Sequence, residues 1–165
     1  MRFAKLTLTT RRFPGLVATG VAVLALSACS SSSLPTLTGF AAVRDQAART
    51  ESAASDRATQ LAEVATDCAS CSAALRAVAS ASHERLEALG GLWDPWGGTP
   101  PEGASAPAAV SEAPTDVSAF VAWLARTATR DLEIAADTNR TSAEEARTLS
   151  AAALGRYASA VTIAQ

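Results

Sequence analysis

Three cysteines and one histidine carry most of the reactive chemistry in this chain. Cys29 closes the run Leu26-Ser27-Ala28-Cys29 at the end of an apolar N-terminal stretch. That order has the form of a lipobox, where a bacterial leader is cut before a cysteine that then carries lipid. A thiolate is the one common nucleophilic side chain that a diacylglycerol donor can turn into a thioether. Cys68 and Cys71 enclose two residues in Cys68-Ala69-Ser70-Cys71. Outside the cytoplasm such a pair is oxidised, and at a helix start it can be redox-active, because the helix N-terminus lowers a thiol's pKa. Three uses stay open for it: a structural disulfide clip pinning the first helical hairpin, a redox pair, or part of a metal site. The redox use normally comes with a βαβ setting, for which the chain has no pattern. The metal use needs two more ligands, and His83 is the only histidine.

His83 lies four residues before Glu87, on the same helical face. A di-iron site in a helical bundle asks for Glu-x-x-His on each of two helices, with further carboxylates opposite. The chain contains no Glu-x-x-His, so His83-Glu84-Arg85 reads as a solvated helix face with a local ion pair. No glycine-framed nucleophile elbow supports a serine triad. The expectation is therefore no enzyme, no metal and no cofactor. Trp93-Asp94-Pro95-Trp96 is the candidate binding feature. Two tryptophans in four residues can offer an aromatic surface to a ring or a partner chain. Folded back, they can instead plug the end of a bundle short of large side chains.

These residues need a leader, a tether and a scaffold. Arg2, Lys5, Arg11 and Arg12 form a basic start, and the first acidic residue is Asp45. Gly15 to Leu26 is an apolar run of twelve residues, too short to span a bilayer that needs about 20. Residues 1–28 thus read as a lipoprotein signal peptide. Thr10-Arg11-Arg12 hints at twin-arginine export, but Phe13-Pro14-Gly15 breaks that pattern, leaving the route open. Residues 29–38 read as the lipidated cysteine and a serine-rich tether, and 39–165 as the folded domain. Two acyl chains, at about 0.8 kcal/mol per buried CH₂, hold such a domain at the membrane. The expected location is the extracytoplasmic face of the cell membrane, lipid-anchored.

Cleavage before Cys29 leaves 137 residues, one domain of ordinary size. Four of the fourteen basic residues leave with the leader; against sixteen acidic residues the mature charge is −6. All remaining basic residues are arginine and none cluster, which excludes a nucleic-acid partner. Forty alanines favour helix. Periodicity predicts four helices. The first runs over about 40–66, with Arg44, Arg49, Asp56, Arg57 and Glu63 on its polar face. The second covers about 72–89, with Leu75, Val78, Ser82, Leu86 and Leu89 in phase, and Gly90-Gly91 stops it as a left-handed cap. A third follows Pro114, with Phe120 or Val121, Leu124, Ala128, Leu132 and Ala135 inward. The fourth opens at Thr141-Ser142 before Glu144-Glu145, two overlapping capping-box spacings. Its apolar stripe is Ala146, Leu149, Ala153, Tyr157, Ala160 and Ala164.

The predicted fold is all-α: a four-helix bundle of ferritin-like topology, with the Gly/Pro-rich segment 90–114 as a long crossover between helices two and three. One alternative stands. The stripe Leu61, Val64/Ala65, Cys68, Cys71, Leu75, Val78 keeps its phase through the first turn, so helices one and two could be one rod.

The lipobox, the alanine-rich helices, the segment Leu75-x-x-Val78…His83-x-x-Leu86…Leu89 and the crossover resemble a family of actinobacterial alanine-rich lipoproteins. Those are similar in turn to small ferritin-like bundle domains without metal. The resemblance covers most of the mature chain and carries over one functional residue, Cys29. The function expected from all this is a non-enzymatic envelope scaffold that binds a protein partner. A thiol–disulfide protein and a ligand-binding module using the tryptophan loop are the alternatives.

Because a thioether forms only on the cysteine, Cys29→Ser is expected to abolish lipidation and move the protein out of the detergent phase on phase partitioning. Retention in that phase, with cleavage at the same bond, would refute the lipobox.

Overall fold

A computed structural model describes residues 36–98, 110, 112–139 and 141–165. The leader, Cys29, most of the serine-rich tether and residues 99–109 of the expected crossover lie outside the described residues. Among the described residues there are four helices and no strand: α1 (Gly39–Val64), α2 (Ala69–Ala88), α3 (Val117–Ala136) and α4 (Ala143–Ala164). They form a helical bundle.

Local chemistry sets the helix ends. Ser142 caps α4 by accepting from Glu145 N–H, while the Glu145 carboxylate accepts from Ser142 N–H at 2.7 Å; of the two capping-box spacings, this one is used. Asp116 caps α3 by accepting from Ala119 N–H at 2.9 Å and from the Ser118 hydroxyl at 2.8 Å. The Ala119 N–H, and after it the Ser118 hydroxyl, holds the Asp116 carboxyl below its ordinary pKa. The Ser142 backbone N–H and then its hydroxyl do the same for Glu145. At the end of α2, Gly90 takes φ +91°, and Gly90 and Gly91 donate to Glu87 and Leu86 carbonyls at 2.9 Å. That is the paired closure of a Schellman cap, and only glycine takes the positive φ without strain.

Helices one and two are separate. Their apolar phase continues across the junction, yet Val64 is exposed and the chain turns over Ala65–Asp67 before Cys68 caps α2. The break puts Leu61 and Leu75 into one core cluster, a contact across the hairpin that a rod cannot make. The buried Ser72 hydroxyl reinforces it, donating to the Ala62 carbonyl at 2.9 Å. α1 packs along α2 and α3 along α4. The two hairpins join mainly through α2 and α4, whereas α1 meets α3 and α4 lightly.

Two apolar clusters fill the bundle. The larger takes Ala54, Ala58, Leu61 and Ala62 from α1, Leu75 and Val78 from α2, Phe120, Trp123 and Leu124 from α3, and Ala160 from α4. Phe120 and Trp123 stack in it with ring centroids 6.0 Å apart. The smaller combines Ala47 and Ala48 with Leu89, Ala135, Leu149 and Ala152. Alanine lets the backbones approach closely but gives the core few large, shape-specific side chains.

Two expected stripes are shifted. In α4, Tyr157 and Ala164 face solvent and Arg156 is buried. In α3, Asp131 is buried where Leu132 was expected, and Leu132 is half-buried. The reason is the charge layer between the two clusters: neighbours on a helix point about 100° apart, so burying Arg156 turns Tyr157 outward.

Candidate functional site

The least ordinary feature of the bundle is a chain of five charged side chains that links all four helices, three of them buried in the interior, with Arg85 half-buried at one end and Arg130 exposed at the other. Arg156 is 0 % exposed, Glu51 0 % and Asp131 1 %. Arg156 Nε donates to Glu51 Oε1 at 3.0 Å, and its Nη1 donates to Asp131 Oδ2 at 2.9 Å. The other oxygen of each acid has its own arginine. Arg85 Nε donates to Glu51 Oε2 at 3.1 Å, and Arg130 Nε and Nη2 donate to Asp131 Oδ1 at 3.2 and 3.0 Å. The order is Arg85 (α2), Glu51 (α1), Arg156 (α4), Asp131 (α3), Arg130 (α3). The Arg156 Nη2 lies 2.9 Å from Glu51 Oε1, a charge contact without hydrogen-bond alignment.

Removing these charges from water costs several kcal/mol per ion, and only close pairing with further hydrogen bonds offsets it. The sequence supplies both. Arg85 Nη2 also donates to Ser82 at 2.9 Å and Ser159 at 3.3 Å. Gly155 makes room: a Cβ there would stand 2.8 Å from Arg85 Cδ and 3.4 Å from its Nε. Glycine at this helical position lets the Arg85 stem pass against α4.

Sequence reasoning missed this layer and set Arg85 on a solvated face. His83 and Glu87 do stay at the surface as a local pair, with Nε2–Oε1 3.5 Å, but Arg85 turns inward. A signal existed. Glu51 falls between Ala47 and Ala54/Ala58, Asp131 between Ala128 and Ala135, and Arg156 between Ala152/Ala153 and Ala160. Each is a single charge in phase with an apolar stripe, and opposite signs sit on different helices.

The other singled-out residues lie apart from the layer. Cys68 and Cys71 are paired as a disulfide. Cys68 is the N-cap of α2 and its sulfur accepts from Cys71 N–H at 3.2 Å. The link therefore stays within the start of α2 and does not fasten α1 to α2, as a hairpin clip would. So short a loop also constrains the unfolded chain little.

Trp93 and Trp96 are half-buried and belong to neither core cluster. Their loop is fastened to α1. Trp93 N–H donates to Asp45 Oδ1 at 3.0 Å, Arg49 Nη2 donates to the Trp93 carbonyl at 3.2 Å, and Arg49 Nε pairs with Asp45 at 2.8 Å. Shallow open grooves of about 390 and 220 Å³ run beside α1, lined by Ala53, Asp56 and Val110, with Leu92 in the smaller one. Among the described residues no group of three or more His, Cys, Asp or Glu side chains is placed to hold a metal ion. Neither family models nor curated proteins nor solved structures yield a match to this chain.

The surface of α4 is the second unusual feature. From Thr148 to Gln165 its only charged side chain is Arg156, which is buried. Leu154, Tyr157 and Val161 are 58 %, 50 % and 44 % exposed. They follow one another at spacings of three and four, which makes one stripe along the helix.

Gly155→Ala tests the fit of Arg85 against α4. In an open helix that change gains about 1 kcal/mol. Here the new Cβ meets a side chain whose head is held by Glu51, Ser82 and Ser159, and overpacking of this kind costs about 1–3 kcal/mol. The urea midpoint is expected to fall. A rise of the usual Gly→Ala size would show that Arg85 is not fixed there.

Proposed function

We propose that this chain is a lipid-anchored protein of the extracytoplasmic membrane face whose helical bundle holds an envelope protein partner against α4, without catalysis of its own. The observation that carries the reading is the outer face of α4 beyond Arg147, which is without exposed charge and has Leu154, Tyr157 and Val161 exposed. Contiguous exposed apolar residues mark interaction surfaces, and a stripe at helical spacing suits a helix laid alongside. Ala151, Ala158 and Thr162 are exposed and small beside it, so a partner backbone can come close. The outer faces of α2 and α3 differ, carrying Arg76, His83, Glu84, Arg126 and Glu133.

The anchor rests on the order of basic start, apolar run and Leu26-Ser27-Ala28-Cys29. Ferritin-like topology is part of the proposal. Its support is the make-up of the two clusters: late α1, early α2, early α3 and late α4 contribute to one, and the opposite halves to the other. Helices so ordered run up, down, down, up, and the connection from α2 to α3 must then travel the length of the bundle, as segment 90–114 is long enough to do. The likeness to actinobacterial alanine-rich lipoproteins points the same way.

A photo-reactive residue placed at Tyr157 of the full chain, in its native membrane, tests the docking face. The expected result is one discrete protein cross-link, lost when Leu154→Glu and Val161→Glu are combined and absent when the probe is at His83. These exposed substitutions leave folding within about 0.5 kcal/mol each. No adduct at Tyr157, or equal labelling from His83, would refute the reading. A product of twice the chain's mass would replace the envelope partner with a second copy, and a lipid adduct would replace it with the membrane.

A further inference from the structure

We propose that Cys68 and Cys71 form a reversible redox centre that exchanges its disulfide with a dithiol, Cys71 being the sulfur attacked and Cys68 the leaving group. The inference is independent of the α4 docking face.

A disulfide that serves the fold joins parts that would otherwise separate. This one joins the N-cap of α2 to a residue three positions on, within a turn that the helix already holds. The hairpin is secured without it, by the buried Ser72–Ala62 hydrogen bond and by Leu61 and Leu75 in a common cluster. Cleavage would therefore leave α1 and α2 where they are. The reduced state also has a place for its charge. Cys71 N–H, now 3.2 Å from the Cys68 sulfur, and the Ser70 hydroxyl at 3.5 Å remain in position to receive a thiolate at the N-terminus of a 20-residue helix. Both redox states fit one backbone, as a reversible centre requires.

The two sulfurs are not equivalent. Cys71 is exposed and Cys68 half-buried. An incoming thiolate reaches Cys71, and the bond breaks towards Cys68, the sulfur that the Cys71 N–H and the helix end already face. The steps balance. A thiolate of the partner dithiol attacks Cys71 Sγ, forming a mixed disulfide and releasing Cys68 as thiolate. The partner's second thiolate attacks its own sulfur in that mixed disulfide and releases Cys71. The partner ends as a disulfide and this chain as a dithiol, two electrons and two protons having moved to it. The reverse sequence oxidises the chain again.

The test uses the full exported chain, folded and without denaturant, with dithiothreitol as the dithiol and circular dichroism as the monitor. Reduction with unchanged helicity, and recovery of the disulfide on adding glutathione disulfide, is the expected result. In a second arm the oxidised chain meets reduced glutathione with iodoacetamide present, and fragmentation mass spectrometry locates the adducts. Glutathione on Cys71 and alkylation on Cys68 are expected to exceed the opposite arrangement about tenfold. A pair that resists dithiothreitol until the chain unfolds, or a bundle that melts on reduction, would return it to a structural role and overturn the proposal. Even division of the adducts, or preference for Cys68, would overturn the assignment of attacked and leaving sulfur.

Discussion

The arrangement of this bundle depends on where Arg156 finds its carboxylates. Its guanidinium sits with Glu51 of α1 on one side and Asp131 of α3 on the other, both fully buried. Arg85 of α2 completes the other side of Glu51. A four-helix interior built largely of alanine has few large side chains to distinguish one register from another, since alanine faces pack tolerably when slid by a turn. A buried ion chain does distinguish them. Shifting any helix by one residue leaves an uncompensated charge, which costs more than most packing errors. On this account the apolar clusters supply the drive to fold and the charge layer between them selects the arrangement. The layer is not a large source of stability, because well-packed apolar residues of similar volume often do as well.

Fixing the interior in this way sends the interaction chemistry to the surface. The acids of the layer are used up on its arginines: every oxygen of Glu51 and Asp131 has an arginine, and Ser82 and Ser159 are taken by Arg85, while the Arg156 Nη2 keeps only its charge contact to Glu51. Burying Arg156 is also what turns Tyr157 to solvent, so the core layer and the uncharged face of α4 are two consequences of one helical phase. The disulfide at the start of α2 and the loop tied by Asp45 and Arg49 to α1 are built from local contacts. Neither contributes a side chain to the charge layer.

What was legible in the sequence was mostly local. Ser142 with Glu145, Asp116 and Gly90-Gly91 announce helix ends because capping acts within three or four residues. The α2 stripe was legible because Leu75, Val78 and Leu89 are large and its small polar member, Ser82, stays in phase. The fourth helix was harder. Alanines occur on several of its faces, so the apolar phase is weak, and hydropathy prefers Tyr157 to Arg156 as the inward neighbour. Only the partners decide that choice, and Glu51 lies 105 residues away in sequence. The turn between the first two helices was ambiguous for a related reason. The stripe from Leu61 to Leu75 keeps its phase, and nothing in it records that the chain reverses over Ala65–Asp67. The disulfide spacing was visible, and so was its place at a helix start; what was not is that α2 begins at Ala69 with Cys68 as its cap, so that the pair lies within the first turn of α2.

Equilibrium unfolding in urea of Arg156→Met beside the triple variant Glu51→Met/Asp131→Met/Arg156→Met tests the ion chain most directly. The single change leaves Glu51 and Asp131 buried with one oxygen each unpaired, their other oxygens still held by Arg85 and Arg130, and is predicted to cost about 3–5 kcal/mol. The triple change removes all three buried charges and leaves Arg85 and Arg130, the two less-buried members, so it is predicted to recover most of that loss. A single variant within about 1 kcal/mol of the parent, or a triple variant as costly as the summed single changes, would contradict a coupled charge layer at the centre of the bundle.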